Sequence, residues 1–173
     1  PFPSDIALLP TEWGQYISFG QLAAAFELIG ITFHHRYHEL SLIKESALDV
    51  EDAIRFVRNN ADKLCLDRDS LCLWAVSGGG PLLSTTLRKN TDYVKCIVAY
   101  YARLDMRGVK EAEQILNEET LYKFSPVAAL EEASPSTIPI YLARAGIDKP
   151  DLNRSIDKFI ELALSKNVPI YLS

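Results

Sequence analysis

Apolar residues along the chain fall into two patterns, short continuous runs and longer segments with helical spacing. Continuous runs occur at Leu71–Val76, Tyr93–Tyr101, Ile138–Ala143 and Val168–Leu172. Such runs are typical of strands that are buried on both faces of a sheet. Helical spacing marks Gln15–Ile29, Lys44–Leu64, Leu82–Leu87 and Ile156–Leu164. Strands that alternate with amphipathic helices predict an α/β fold: a doubly wound, mainly parallel sheet with right-handed crossovers and helices on both faces.

The length of 173 residues predicts one domain over 1–173, large enough to bury a core. Within it, 106–134 is a mainly polar, helical segment that we interpret as a cap or excursion over the sheet edge, and Ser134–Ser136 is predicted to be a loop. Two shorter runs, Ile6–Leu9 and Ile31–Phe33, predict a strand stub and a short strand.

The run that ends at Val76 leads directly into Ser77, three glycines and then Pro81. Glycines allow positive φ and close packing of helix on strand, and proline suits the first position of a helix. The segment therefore predicts a strand, a tight turn with Ser77 at its apex, and a helix. The Ser77 hydroxyl is expected to project above the sheet, where N–H groups at the helix start can meet a developing negative charge.

This segment resembles the nucleophile elbow of the α/β-hydrolase family, G-x-S-x-G, with Ala75 in the place of the first glycine. The resemblance implies that Ser77 is the nucleophile and that the Gly78 backbone N–H is an oxyanion donor. It also implies an acid later in the chain. Asp148 follows a strand in a turn similar to the strand–Gly–x–Asp turn of dienelactone-hydrolase-like members.

Two alternatives to this acid remain open. Asp148 and Asp151 could cap the helix that begins near Leu152. Asp105, which also follows a strand, is the second candidate for the acid.

The histidine base of the family lies after the strand that follows the acid, which here is Val168–Leu172. The chain has histidines at 34, 35 and 38, before the serine and not at the triad position. We expect His34 and His38, like Asp105, to line or border the pocket. We also expect that some N-terminal strands, a His-Gly-rich oxyanion turn and a C-terminal segment with the base are missing from this sequence.

Composition narrows the classes of partner. A net charge of −5 with scattered charges argues against nucleic acid, and no apolar run approaches the roughly 20 residues of a membrane span. Cys65, Cys72 and Cys96 lack metal-ligand spacing, and two of them lie in predicted strands. Buried free thiols, and a cytoplasmic location without a signal peptide, are expected.

These observations together predict a serine hydrolase that cleaves an ester, lactone or thioester through an acyl-enzyme on Ser77. Its partner would be a small ester-type substrate, with no metal or organic cofactor implied, and a homodimer is compatible with this interpretation. The absent base motivates an alternative, an inactive α/β-hydrolase-fold protein that binds a small molecule or a protein. A third reading of 77–80, phosphate binding at a helix N-terminus, lacks the third glycine and the phosphate-loop lysine.

Overall fold

A computed structural model of the protein describes residues 9–132 and 137–173. The chain forms two compact units, Pro1–Asp67 and Arg68–Ser173. Most of the predicted strand stub at Ile6–Leu9 and the predicted loop at Ser134–Ser136 lie outside the described residues.

The first unit is helical in its described part. It contains short 3-10 helices at Pro10–Glu12 and Leu40–Leu42 and the α-helices α1 (Gly14–Ala25), α2 (Ile43–Asn59) and α3 (Ala61–Leu64). Helix α1 ends four residues earlier than Ile29, because Glu27 adopts a left-handed φ of 60° and the Leu28 N–H bonds back to the Ala23 carbonyl.

The prediction of a strand at Ile31–Phe33 is wrong. The segment has no regular secondary structure and belongs to no strand of the described sheet, and Ile31 is 45% exposed. A three-residue apolar run satisfies its backbone as a strand only when a neighbouring strand pairs with it, and sequence pattern alone does not supply that neighbour.

The second unit contains the parallel sheet that the sequence predicts. Its strands are β1 (Leu71–Val76), β2 (Val94–Tyr100), β3 (Ile140–Ala143) and β4 (Ile170–Leu172). They pair in parallel in the order β1-β2-β3-β4. In the described parts of the connections lie a 3-10 helix at Ser77–Leu83 and the α-helices α4 (Ser84–Lys89), α5 (Lys110–Glu113), α6 (Glu118–Lys123), α7 (Pro126–Glu132) and α8 (Pro150–Ser165).

The strand order decides where the crossover helices pack. When successive parallel strands are added in one direction, right-handed crossovers bring every connecting helix to the same face. Helix α7 accordingly packs against both α4 and α8. Together they cover the face of the sheet that carries buried Ala75, Ile97, Ala99, Ile140 and Leu142.

The opposite face of β1 is more open than a strand buried on both sides would be. Trp74 is 37% exposed and Cys72 is exposed, whereas Ala75 between them and the elbow is buried. The apolar run therefore predicted the strand correctly but overstated its burial.

The segment 106–134, interpreted from its sequence as a cap, contains the short helices α5, α6 and α7, and local residues determine where two of them begin. The Asn117 side chain accepts a hydrogen bond from the Thr120 N–H and so begins α6, and Pro126 begins α7. Val127, Ala129 and Leu130 of α7 belong to the hydrophobic core. This end of 106–134 is thus part of the packed unit, and its last two residues lie outside the described ranges.

The prediction that Cys72 and Cys96, the two cysteines in strands, are buried free thiols is wrong. Cys72 and Cys96 are register partners on neighbouring strands, with Cα atoms 4.7 Å apart, and they form a disulfide. This Cα separation suits a disulfide. Cys65 is a free, exposed thiol. Because disulfides are rare in the cytosol, the cysteines no longer support a cytoplasmic location.

Candidate active site

Ser77 is the first residue of the 3-10 helix and directly follows β1, at a sharp change in chain direction. Its φ is 50°, in the left-handed region, which costs a non-glycine residue about 1–3 kcal/mol unless its surroundings impose it. One contact that holds this conformation is a hydrogen bond of 2.9 Å, which the Ser77 carbonyl accepts from the backbone N–H of Arg103. Ser77 itself is exposed. A strained, exposed serine at the carboxyl end of a strand has the conformation that the elbow motif predicts.

Gly80 permits the close packing behind this turn. A Cβ on Gly80 would lie 2.2 Å from the Arg103 carbonyl oxygen and 2.9 Å from the Arg103 backbone N. A Cβ on Gly79 would meet only the Ala75 Cβ at 3.8 Å, an ordinary contact. The loop after β2 thus touches the elbow twice, through the Ser77 carbonyl and through Gly80. Gly78, the predicted oxyanion donor, is the second residue of the 3-10 helix, in the first turn, where N–H groups lack intrahelical partners.

Asp148 lies in the loop between β3 and α8. Its backbone N–H donates to the Ala145 carbonyl at 3.3 Å, and its Oδ1 accepts from the Lys149 N–H at 2.6 Å. The N-cap of α8 is Lys149, and Pro150 is at the first helical position. Asp148 therefore does not cap α8 as the first alternative proposed, and its half-buried carboxylate stays at the loop.

Asn153 fixes this loop from inside α8. Its side chain is buried, and its Nδ2 donates to the Ala145 carbonyl at 3.0 Å. A second link is the ion pair between Arg144 Nε and Asp157, at 2.7 Å. The turn that carries Asp148 is thus attached to the helix that follows it.

Asp105 has a different environment. It is 7% exposed, and its carboxylate accepts hydrogen bonds from the Arg107 side chain at 2.8 and 2.9 Å and from the Ser125 hydroxyl at 2.9 Å. Lys158 Nζ adds a contact of 3.2 Å. Burial by itself would raise the pKa of Asp105, but the hydrogen bonds from Arg107 and Ser125 outweigh it and hold that pKa below its ordinary value.

This environment makes Asp105 the less suitable acid. An acid that orients a histidine needs an unoccupied carboxylate oxygen, and the oxygens of Asp105 already accept from three side chains. The geometry favours Asp148 over Asp105, and both roles stay predictions.

Arg103 was not singled out by any sequence signal. Its Nη2 donates to Asp151 Oδ2 at 2.8 Å, linking the loop after β2 to the first turn of α8. This ion pair holds the pKa of Asp151 below its ordinary value. Asp151, the other proposed capping residue, is thus an ion-pair partner. No motif could have identified this contact, because 48 residues separate its members.

The histidines belong to the Pro1–Asp67 unit. His34 Nε2 lies 2.8 Å from Thr11 Oγ1, and the His38 backbone N–H donates to the Arg36 carbonyl. Burial lowers the pKa of His35, although Asp49 opposes the shift. A pocket role for His34 and His38 stays a prediction.

The family of the chain follows from a comparison with protein-family models. The model of the prolyl oligopeptidase family matches residues 29–139, which is more than half of the chain. The chain belongs to the prolyl oligopeptidase family. No curated protein matches it.

Solved structures of similar fold are esterases or related hydrolases by their descriptions. An esterase from Thermogutta terrifontis with bound propionate has a TM-score of 0.74 and 16% identity, over 92% of this chain and 64% of its own. A lipase/esterase from Lactobacillus plantarum has a TM-score of 0.72 and 14% identity, over 93% and 72%. An acetyl ester-xyloside bifunctional hydrolase from Caldicellulosiruptor lactoaceticus has a TM-score of 0.71 and 17% identity, over 90% of this chain. The chain spans 63% of the length of that hydrolase.

These likenesses confirm the α/β-hydrolase fold. The match to the prolyl oligopeptidase family includes Ser77, Arg103 and Asp105 but ends before Asp148.

Among residues 9–132 and 137–173 no helix is long and apolar enough to cross a membrane. The same residues contain no cluster of three or more metal-ligating side chains. A surface cavity lined by Asn90, Val94, Lys95 and Pro139 lies at the amino ends of β2 and β3, the opposite sheet edge from Ser77.

Proposed function

We propose that this protein is a serine hydrolase that cleaves a carboxylic ester, lactone or thioester through an acyl-enzyme on Ser77. The observation that carries the proposal is the left-handed Ser77 at the carboxyl end of β1, held there by the Arg103 N–H. A hydroxyl on such a turn is presented above the sheet, where an acyl group can approach it.

The chemistry follows the order of a serine triad. A base takes the proton of Ser77 Oγ as the oxygen attacks the carbonyl carbon, and the Gly78 N–H stabilises the resulting oxyanion. The base then protonates the oxygen or sulfur of the leaving group as its bond to the carbonyl carbon breaks. In the second half of the reaction, the base takes a proton from water as the water oxygen attacks the acyl carbon, and it returns that proton to Ser77 Oγ as the acid leaves. Asp148 orients the base, which the family order assigns to a histidine after β4.

Two findings bear on the substrate. The similar solved structures are described as esterases, which favours an ester-type bond. The family takes its description from an oligopeptidase, which favours a peptide bond. The proposal adopts the ester, because the esterases align over nine tenths of this chain.

The direct test is covalent labelling of the full-length protein with a fluorophosphonate probe, read by intact mass and peptide mapping. One adduct on Ser77 is expected, absent in Ser77→Ala. Ser70→Ala is a matched control, because Ser70 is an exposed serine at the amino end of the same strand and should not affect labelling. A folded, full-length protein without an adduct would instead favour the alternative of an inactive binding protein.

The acid is tested by substitution at both candidates. Asp148→Asn should lower kcat for p-nitrophenyl acetate by on the order of 10³–10⁴, because an asparagine holds the wrong tautomer of the base. Asp105→Asn should chiefly lower stability. Faster hydrolysis of a prolyl p-nitroanilide than of the ester would refute the ester assignment and favour a peptidase.

A further inference from the structure

We propose that Arg103 is a positioning residue that couples the nucleophile elbow to the acid loop, through its backbone on one side and its ion pair with Asp151 on the other. The inference rests on the proposed function, since it assumes that Ser77 and Asp148 act together.

The backbone of Arg103 sets the elbow. Its N–H donates to the Ser77 carbonyl at 2.9 Å, and its carbonyl packs so closely on Gly80 that a Cβ there would come within 2.2 Å. Because of these two contacts, a shift of the Arg103 backbone should also shift Ser77 and Gly80.

The side chain of Arg103 reaches the helix that follows the acid. Nη2 is 2.8 Å from Asp151 Oδ2, and the Arg103 side chain is only 17% exposed. Nη1 is buried without a hydrogen-bond partner among the described residues. The contact that fixes this guanidinium is therefore the ion pair of Nη2 with Asp151.

Asp151 is connected to Asp148 by a stiff segment. Lys149 is extended, with φ −52° and ψ 131°, and Pro150 restricts both its own φ and the residue before it. The Lys149 N–H also donates to the Asp148 carboxylate. A guanidinium that holds Asp151 therefore limits the displacement of Asp148.

The contacts thus form one path from nucleophile to acid: the Ser77 carbonyl, Arg103, Asp151 and Asp148. A misplacement of about 1 Å in a catalytic group can lower the rate about 100-fold. Loss of the ion pair should therefore act on kcat and leave KM nearly unchanged, because no substrate contact is removed.

The test is a double-mutant cycle in the full-length protein with p-nitrophenyl acetate. Arg103→Met and Asp151→Asn should each lower kcat about 10- to 100-fold, with KM within about twofold. The double variant should be no slower than the slower single variant, because both changes break one link. Arg103→Lys, which keeps the charge, should recover part of the activity.

Arg88→Met is the matched control. Arg88 forms an ion pair with Glu132 at 2.6 Å, its side chain is 23% exposed, and it also donates to the Lys123 and Tyr122 carbonyls. These partners lie in α6 and α7, outside the elbow and the acid loop. Arg88→Met should lower the melting temperature and leave kcat unchanged. The half-exposed Asp151 keeps the test valid if Arg103→Met does not fold, since Asp151→Asn breaks the same pair from its more accessible side.

Three results would overturn the inference: an unchanged kcat in Asp151→Asn, multiplicative losses in the double variant, or an equal loss of kcat in Arg88→Met. Fluorophosphonate labelling of the unmodified protein separates this failure from a failure of the proposed function. If Ser77 is labelled but the cycle shows no coupling, only the role of Arg103 is refuted.

Discussion

Gly80→Ala tests the close contact behind the elbow. The added Cβ would lie 2.2 Å from the Arg103 carbonyl oxygen and 2.9 Å from the Arg103 carbonyl carbon and N. Favourable separations for such atoms are about 3.5 Å, so the backbone at Arg103 must move by about 1 Å. A flexible side chain could rotate away, but these atoms belong to the main chain.

The expected cost has two parts. Overpacking of this kind costs about 1–3 kcal/mol, and weakening the Ser77–Arg103 hydrogen bond costs about 1 kcal/mol. The sum is about 2–4 kcal/mol. For a protein of this size, 1 kcal/mol corresponds to a change in melting temperature of about 2–4 °C, so we expect a decrease of about 4–16 °C. The same movement should slow fluorophosphonate labelling of Ser77 by on the order of 100-fold.

Thermal unfolding followed by circular dichroism measures the first effect, and the labelling rate measures the second. Gly79→Ala is the control, because its Cβ would lie 3.8 Å from the Ala75 Cβ, and its stability should change by less than about 0.5 kcal/mol. If Gly80→Ala is as stable and as reactive as Gly79→Ala, the Arg103 carbonyl does not hold the elbow, and the reasoning fails.

Other substitutions and treatments have equally definite outcomes. Asp105→Asn leaves the Arg107 guanidinium with Glu131 as its carboxylate partner, so the lost charge-assisted hydrogen bonds should cost about 1.5–3 kcal/mol, measured by urea unfolding at pH 7. Because the pKa of Asp105 is lowered by folding, its contribution is present above the ordinary value of 3.8 and is lost as the pH falls through the lower folded value. The difference between the variant and the unmodified protein should therefore shrink at pH 3 and below, and a constant difference would refute the assignment. Alkylation read by peptide mapping should modify Cys65 in the native protein and Cys72 and Cys96 only after reduction; modification of Cys72 and Cys96 before reduction would exclude their disulfide.

Local patterns predicted the elements that are specified by neighbouring residues. The run before Ser77 and the glycines after it lie within ten residues, and together they specify the strand and the turn. The prediction that Pro81 begins the helix is wrong, because Pro81 lies inside the 3-10 helix and α4 begins at Ser84. Ile31–Phe33 failed for the opposite reason. Its apolar pattern is compatible with a strand, but a strand also requires a partner, which is a property of the fold as a whole.

Long-range contacts account for what the sequence could not provide. The cysteine pair depends on the register between β1 and β2, which fixes Cys72 opposite Cys96. The Arg103–Asp151 pair joins residues 48 positions apart. Neither pair could be predicted from composition, periodicity or motif spacing, because each depends on how separate elements of the fold pack together.

Topology decides which candidate acids lie at the edge of the sheet near Ser77, and packing decides which of them keeps a carboxylate available. Parallel strands bring Ser77, Asp105 and Asp148 to the same edge of the sheet, since each follows a strand end, and that much could be predicted from their order. Packing then separates the two carboxylates. Asp105 is enclosed by Arg107 and Ser125, which satisfy its oxygens and keep it charged, whereas Asp148 stays half-buried at the loop. A residue whose hydrogen-bonding capacity is used by the fold has little left for catalysis, so burial and partners, rather than position after a strand, favour Asp148.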